Sequence, residues 1–261
     1  MIPKAYITEW SKNAPWVNNN QIEQDLIIER ALVELFSNSE LSAQLAFRGG
    51  TALHKLFLKP QARYSEDIDL VQLHSGEIGP MLTLIREQLS FLGKANYTAS
   101  EHNATLIFRF DSENEPVTRL KLKVEINTRE HFSVFDTLDI EHNLVSTYHS
   151  GKCKIKTFTV EELLSTKLRA LYQRKKGRDL FDLWYANEKV KPDSKKIIEA
   201  FNKYISNENL SISSKDFIDN MEEKINDTDF IGDISGLLRP GIEYNNSVAW
   251  QFLRKNIISK L

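Results

Sequence analysis

Thr118–Asn127 reads TRLKLKVEIN, in which Leu120, Leu122, Val124 and Ile126 alternate without a break with Arg119, Lys121, Lys123 and Glu125. A period of two puts the apolar side chains on one side of an extended backbone and the charged ones on the other, so the run predicts a strand with one buried face. ATLIFRF at 104–110 is a second extended run, and the polar segment DSENEP joins the two, predicting an antiparallel hairpin. A hairpin alone is only marginally stable in water, so the rest of the chain must supply strands or helices to cover it.

It supplies both. NNNQIEQDLIIERALVELFSN offers an Asn cap and helical apolar spacing, predicting a helix over about 20–38. QLAF reads as a short extended run before Gly49-Gly50, TALHKLF as a short helix, EDIDLVQL as a strand, and GPMLTLIREQLSFLG as a helix starting near Pro80 and stopping at Gly93. After about residue 157 the pattern turns helical. Thr159 and Glu162 form a predicted capping box ahead of ELLSTKLRALYQRKK, and four further helical runs follow. We therefore expect an α+β core over 1–157 and a mostly helical domain over 158–261.

Composition narrows the class. With 261 residues, 41% hydrophobic and 27% charged, the chain can bury a sizeable core. A formal net charge of −2 argues against coating nucleic acid by bulk charge, although a local basic groove is compatible with it. The single cysteine, Cys153, excludes an internal disulfide and a multi-cysteine zinc site, which points to a reducing cytoplasm. Neither a signal-peptide run nor an apolar stretch of membrane-spanning length is expected.

Two sets of residues carry possible chemistry. Asp67 and Asp69 flank Ile68 in the predicted strand, so both carboxylates share a face while Ile68 and Leu70 take the other. Two carboxylates that close repel one another, which a divalent metal between them resolves; a solvent-facing strand is the plain alternative. Glu125, the one acid on the basic face of TRLKLKVEIN, suits a third metal ligand or a base, and suits cross-strand pairing with a lysine equally well. Upstream, Gly49-Gly50-Thr51 offers close backbone approach at a helix start, as a phosphate-cradling turn would. Neither G-x-x-x-x-G-K-[ST] nor G-x-G-x-x-G is present, which disfavours an ordinary ATPase or dinucleotide enzyme. In STKLRALYQRKKGRDLFDLW, Lys167 and Arg174 are seven apart on one helix face, beside the apolar stripe of Leu164, Leu168 and Leu171; Asp179 and Asp182 are three apart on another. A lysine oriented by a carboxylate suits triphosphate chemistry.

Together, RGGTALHK (48–55), RYSEDIDL (63–70), KVEIN (123–127) and KLRALYQRKKGRDLFDL (167–183) resemble the AbiEii-type nucleotidyltransferase toxins of abortive-infection systems, the family that includes the MenT toxins. The resemblance implies a nucleotidyltransferase-like mixed sheet with flanking helices, and a Mg2+-dependent transfer of a nucleoside monophosphate from an NTP. It implies that Gly49, Gly50, Thr51, Arg63 and Ser65 line the nucleotide site with Lys167, and that Asp67 and Asp69 bind the metal. Asp182 is the preferred match for the family's later acid, with Asp179 the alternative, and Glu125 corresponds to the superfamily's third carboxylate. The interval from Gly50 to Asp67 departs from the family pattern, because LKPQARYSE lengthens it.

The resemblance also implies a tRNA 3′ end as acceptor, a resulting block of translation, and a cognate antitoxin. Three basic runs offer a phosphate backbone something to follow: Arg119, Lys121 and Lys123; Lys152, Lys154 and Lys156; and RKKGR at 174–178. The alternatives are a small-molecule or protein hydroxyl as acceptor, or a nucleotide-binding module without catalysis. The helical region after residue 185 carries no motif of its own.

Overall fold

The computed structural model describes residues 2–261. The chain forms two compact units: one holds the residues up to Ala52, Tyr64–Phe132 and Thr137–Phe158, and the other holds Leu53–Arg63, Ser133–Asp136 and Thr159–Leu261.

The first unit is built on a seven-stranded mixed sheet: β1 (Leu45–Arg48), β2 (Asp67–Gln72), β3 (Ala95–Ala99), β4 (Asn103–Asp111), β5 (Arg119–Asn127), β6 (Leu138–Val145) and β7 (Ser150–Thr157). Their spatial order is β3-β4-β5-β2-β1-β7-β6. The expected hairpin is β4–β5, antiparallel with Arg109 opposite Lys121 and Thr105 opposite Glu125. β2 then lies parallel to β5 and antiparallel to β1, while β1 runs parallel to β7. The helices of this unit are α1 (Lys4–Trp10), α2 (Asn19–Ser37), α3 (Ser39–Gln44), α4 (Gly49–Ala52) and α5 (Ile78–Gln88).

The alternation on β5 does what its period requires. Leu120, Leu122, Val124 and Ile126 are buried, as are Ile68 and Leu70 on the same side of β2. Each fully buried aliphatic side chain of this size stabilises the fold by about 1.5–3 kcal/mol, which is why the register cannot slip by one residue. Asn18 caps α2, its side chain accepting from the Asn20 amide. α2 packs beside β7 closely enough that a Cβ on Gly151 would come within 2.5 Å of Val33 Cγ1.

The second unit contains α6 (Val160–Gln173), α7 (Gly177–Val190), α8 (Ser194–Asn207), α9 (Ser214–Glu222), α10 (Thr228–Gly232) and α11 (Asn246–Asn256). Its core includes Leu163, Leu164, Leu168, Leu171, Phe181, Phe201, Phe217 and Phe230. Only half of the predicted capping box forms. Thr159 accepts from the Glu162 amide, but the Glu162 carboxylate turns inward and accepts from the Val134 and Phe135 amides at 2.8 and 3.1 Å and from Tyr204 Oη at 2.8 Å. A buried carboxylate needs several donors, and this demand outweighs the local cap. The N-terminus of α7 is capped by Asp233, which accepts from the Arg178 amide. Gly177 is required there, since a Cβ would lie 2.1 Å from the Phe230 carbonyl oxygen.

The long interval between Gly50 and Asp67 now has a structural reason. After Ala52 the helix continues as a π-helical turn, Leu53–Phe57, and residues 53–63 belong to the second unit. There the Ala62 carbonyl accepts from the Arg239 amide, and Arg63 forms an isolated bridge with Leu238. Among the described residues, no helix is long and apolar enough to cross a membrane.

Candidate active site

Within the first unit, the parallel pairing of β2 with β5 sets Asp67 opposite Lys123 and Asp69 opposite Glu125, so all four project from one face of the sheet. The Asp67 carboxyl is pushed up to about 6, first by burial and then by the nearby Asp69 and Glu66 charges, against the pull of Lys123 and Lys121. Lys123 does not relieve this conflict fully, because it forms an ion pair with Glu125. Glu125 is thus beside Asp69 in register and committed to a lysine.

Gly49 sits directly against the pair. Its φ is +79°, and a Cβ there would lie 2.1 Å from Asp69 Oδ2. Both the backbone conformation and the space therefore demand glycine. Thr51 is buried, and its hydroxyl lies 2.5 Å from the Asp67 carbonyl oxygen and 2.8 Å from Ser65 Oγ. Thr51 thus ties the start of α4 to the start of β2, with Ser65 joined to the same link.

Among the described residues, no three His, Cys, Asp or Glu side chains converge as a metal-binding group. The donor set of Asp67 and Asp69 still fits Mg2+, which is usually held by one or two carboxylates, with substrate phosphates and water completing its shell. Two acids confined to one face, one of them resisting ionisation, form the anionic receptor such an ion stabilises.

Within the second unit, the remaining expected residues form one buried charge network. Asp182 is fully buried, and the Arg63 fork clasps it, with Nε 2.7 Å from Oδ1 and Nη2 2.7 Å from Oδ2. Lys167 Nζ lies 3.0 Å from Asp182 Oδ2 and 3.0 Å from Asp179 Oδ1. Asp179 is in turn gripped by Arg174, with Nε at 2.7 Å and Nη2 at 2.9 Å. Burial alone would raise both carboxyls, but the cations prevail: Arg63 and Lys167 hold Asp182 well below the usual carboxylate range, and Lys167 and Arg174 lower Asp179. Each carboxylate is thereby matched by one arginine fork, which leaves the charge of Lys167 as the network's surplus. Both of the alternative acids orient Lys167.

Two expectations change on this evidence. Lys167 lies in the buried part of α6 rather than beside it, only 7% exposed. Arg63, only 2% exposed, directs its guanidinium at Asp182. The pairing of Arg63 with Asp182 spans 119 residues and left no local signal in the sequence. His54 carries no sequence cue either, although its Nε2 lies 2.9 Å from Asp182 Oδ1; a lone histidine in an apolar turn does not reveal its partner.

The basic runs are largely engaged within the molecule. Arg119 pairs with Asp111, Lys156 with Asp139, Lys175 with Asp227 and Lys176 with Asp233. Lys121, Lys152 and Lys154 are the cations of these runs with no ion pair among the described residues.

The comparisons agree with this architecture. No curated protein matches the chain. Solved structures that share its fold include MenT4, a nucleotidyltransferase toxin from Mycobacterium tuberculosis H37Rv (16% identity, TM-score 0.65, covering 100% of this chain and 91% of that one); JHP933 from Helicobacter pylori (18%, 0.61, 94% and 94%); and a putative nucleotidyltransferase from H. pylori (18%, 0.60, 94% and 97%). At such identities the likeness establishes the fold. The family model described as nucleotidyl transferase AbiEii toxin, type IV toxin–antitoxin system, matches residues 30–252, which takes in every site residue described above. The chain belongs to the AbiEii nucleotidyltransferase toxin family.

Proposed function

We propose that this chain is a Mg2+-dependent nucleotidyltransferase that transfers a nucleoside monophosphate from an NTP to the 3′ end of a tRNA, thereby blocking translation in the cytoplasm, and that a cognate antitoxin restrains it. The observation that carries the reading is the Asp67–Asp69 pair on one sheet face, packed against a glycine that nothing larger can replace.

In such a transfer the acceptor hydroxyl oxygen bonds to the α-phosphorus, the bond from that phosphorus to the bridging oxygen breaks, and pyrophosphate leaves with the bridging oxygen. The hydroxyl proton passes to solvent or to a base. Magnesium, when bound, would neutralise phosphate oxygens and favour the in-line displacement. Asp67 and Asp69 hold that charge in place. Gly49 lets the backbone approach the nucleotide, and Thr51 with Ser65 fixes the turn. Lys167 supplies the cation for the triphosphate, while Asp179 and Asp182 orient its amine. Glu125 tethers Lys123, the nearest lysine opposite the pair.

A second reading keeps this chemistry and changes the acceptor to a small-molecule or protein hydroxyl. It is favoured by the ion pairing of most of the basic residues that a tRNA backbone would otherwise engage. Incubating the protein with each α-labelled NTP and total RNA, a panel of small hydroxyl acceptors and cell protein separates the two. Label in tRNA that vanishes with Asp67→Ala is the expected result. Label only in another acceptor would replace the tRNA assignment, and no label anywhere would leave a nucleotide-binding module.

A further inference from the structure

His54 is wholly buried in the π-helical turn Leu53–Phe57, and a π-helical turn often marks a functional position. Its ring stacks against Phe181 at 6.4 Å and Tyr185 at 6.5 Å between centroids, which fixes the imidazole plane. Asp182 is ionised and can only accept, so His54 Nε2 carries the hydrogen and donates it to Oδ1 at 2.9 Å. Nδ1 is then a bare acceptor, and it is buried with no hydrogen-bond partner. A leucine would fill this apolar stack without that orphaned nitrogen, so what a histidine adds here is the hydrogen that Nε2 gives to Asp182.

The four donors on Asp182 give the reason. Oδ1 accepts from Arg63 Nε and His54 Nε2, and Oδ2 accepts from Arg63 Nη2 and meets Lys167 Nζ. With two donors saturating Oδ1, Oδ2 is the oxygen left for the lysine. Remove the His54 donor and Oδ1 becomes a competing site, so the ammonium is no longer held midway between Asp179 and Asp182.

We infer that His54 is a positioning residue that acts through Asp182 to fix Lys167 Nζ in one place. The inference rests on the proposed role of Lys167 toward the triphosphate, although the geometry it invokes can be read without nucleotide. Arg63 shares the task, but its removal would strip a buried carboxylate of its main partner, so His54 provides the cleaner test.

The experiment compares the full-length protein with His54→Leu and with His54→Gln, whose side-chain amide can restore a donor to Oδ1. Three quantities are read: melting temperature, the rate at which Lys167 is acylated by a small amine-reactive reagent as followed by peptide mass spectrometry, and KM and kcat for each NTP. His54→Leu is expected to acylate faster at Lys167 alone, and to raise the NTP KM about tenfold, the change that corresponds to about 1.4 kcal/mol, with melting lowered by roughly 2–5 °C for the one charge-assisted bond lost. His54→Gln is expected to return both readouts toward wild type. Wild-type acylation and KM in both variants would overturn the inference. So would parallel loss of melting temperature, Lys167 protection and activity in both, since that is the mark of a merely structural residue. If the wild-type protein transfers no nucleotide but Lys167 still acylates faster in His54→Leu and is restored in His54→Gln, the positioning role stands and the nucleotide reading fails.

Discussion

Lys167→Met tests how the buried network is held together. The substitution keeps an unbranched side chain in α6 and removes the ammonium that lies 3.0 Å from Asp179 and 3.0 Å from Asp182. Breaking a buried ion pair by removing one partner costs about 3–5 kcal/mol when the other charge is stranded. Here neither carboxylate is stranded, because Asp182 keeps the Arg63 fork and His54, and Asp179 keeps the Arg174 fork. What is lost is two charge-assisted contacts, so the expected cost is about 2–3 kcal/mol. In thermal unfolding this corresponds to a drop of roughly 5–10 °C for a chain of this size. The assay is calorimetry at neutral pH, paired with urea titration to check that the slope is unchanged. A loss below about 0.5 kcal/mol would refute the reasoning, since it would mean that Lys167 is solvated and contributes nothing to the network.

The carboxylate pair should behave in the opposite sense. Asp67→Asn removes one of two repelling charges and is expected to stabilise the metal-free protein at pH 7 by about 1–2 kcal/mol, after discounting for a partly open site, while abolishing transfer; a calorimetric loss would count against the repulsion. Gly49→Ala forces a Cβ against Asp69 Oδ2 at a φ of +79°, and should cost about 1–3 kcal/mol and the activity with it, as melting and label transfer would reveal. The pH dependence of stability has a defined sign. His54 is lowered to about 4, chiefly by burial and against the pull of Asp182, so between about pH 6.5 and 4 the unfolded chain binds a proton that the folded chain refuses. This contribution, up to about 3 kcal/mol, is complete above pH 6.5 and lost on acidification through that window. His54→Leu should flatten the slope of urea-derived stability there, and an unchanged slope would contradict the assignment. Asp182, held low by Arg63 and Lys167, contributes its own loss only below about pH 4.

Much of the architecture was legible because period and burial coincide. The alternation of Leu120 to Ile126 fixed a strand with one apolar face, and Asp67 and Asp69 had to share a face once EDIDLVQL was extended. Asn18 marked the start of α2 through its side-chain acceptor. The edges were harder to read: β3 (ANYTA) is mostly exposed and β6 alternates weakly, so neither carries a burial signal. TALHKLF was legible as a short helical run, but the destination of residues 53–63 was not. Its reason is the need of a buried Asp182 for donors, and that need is met by Arg63 and His54 from far along the chain. Glu162 illustrates the same limit, since its place in a local box was surrendered to three donors brought together by tertiary structure.

The central claim is that Asp67 and Asp69 hold the divalent ion that carries the nucleotide. Mn2+ is a spectroscopic substitute for Mg2+, and its binding in the presence of an NTP can be counted by electron paramagnetic resonance in the wild-type protein, Asp67→Asn and Asp69→Asn. NTP-dependent Mn2+ binding is expected in the wild type and its loss in both variants, with each variant still folded. Undiminished Mn2+ binding in either variant would contradict it.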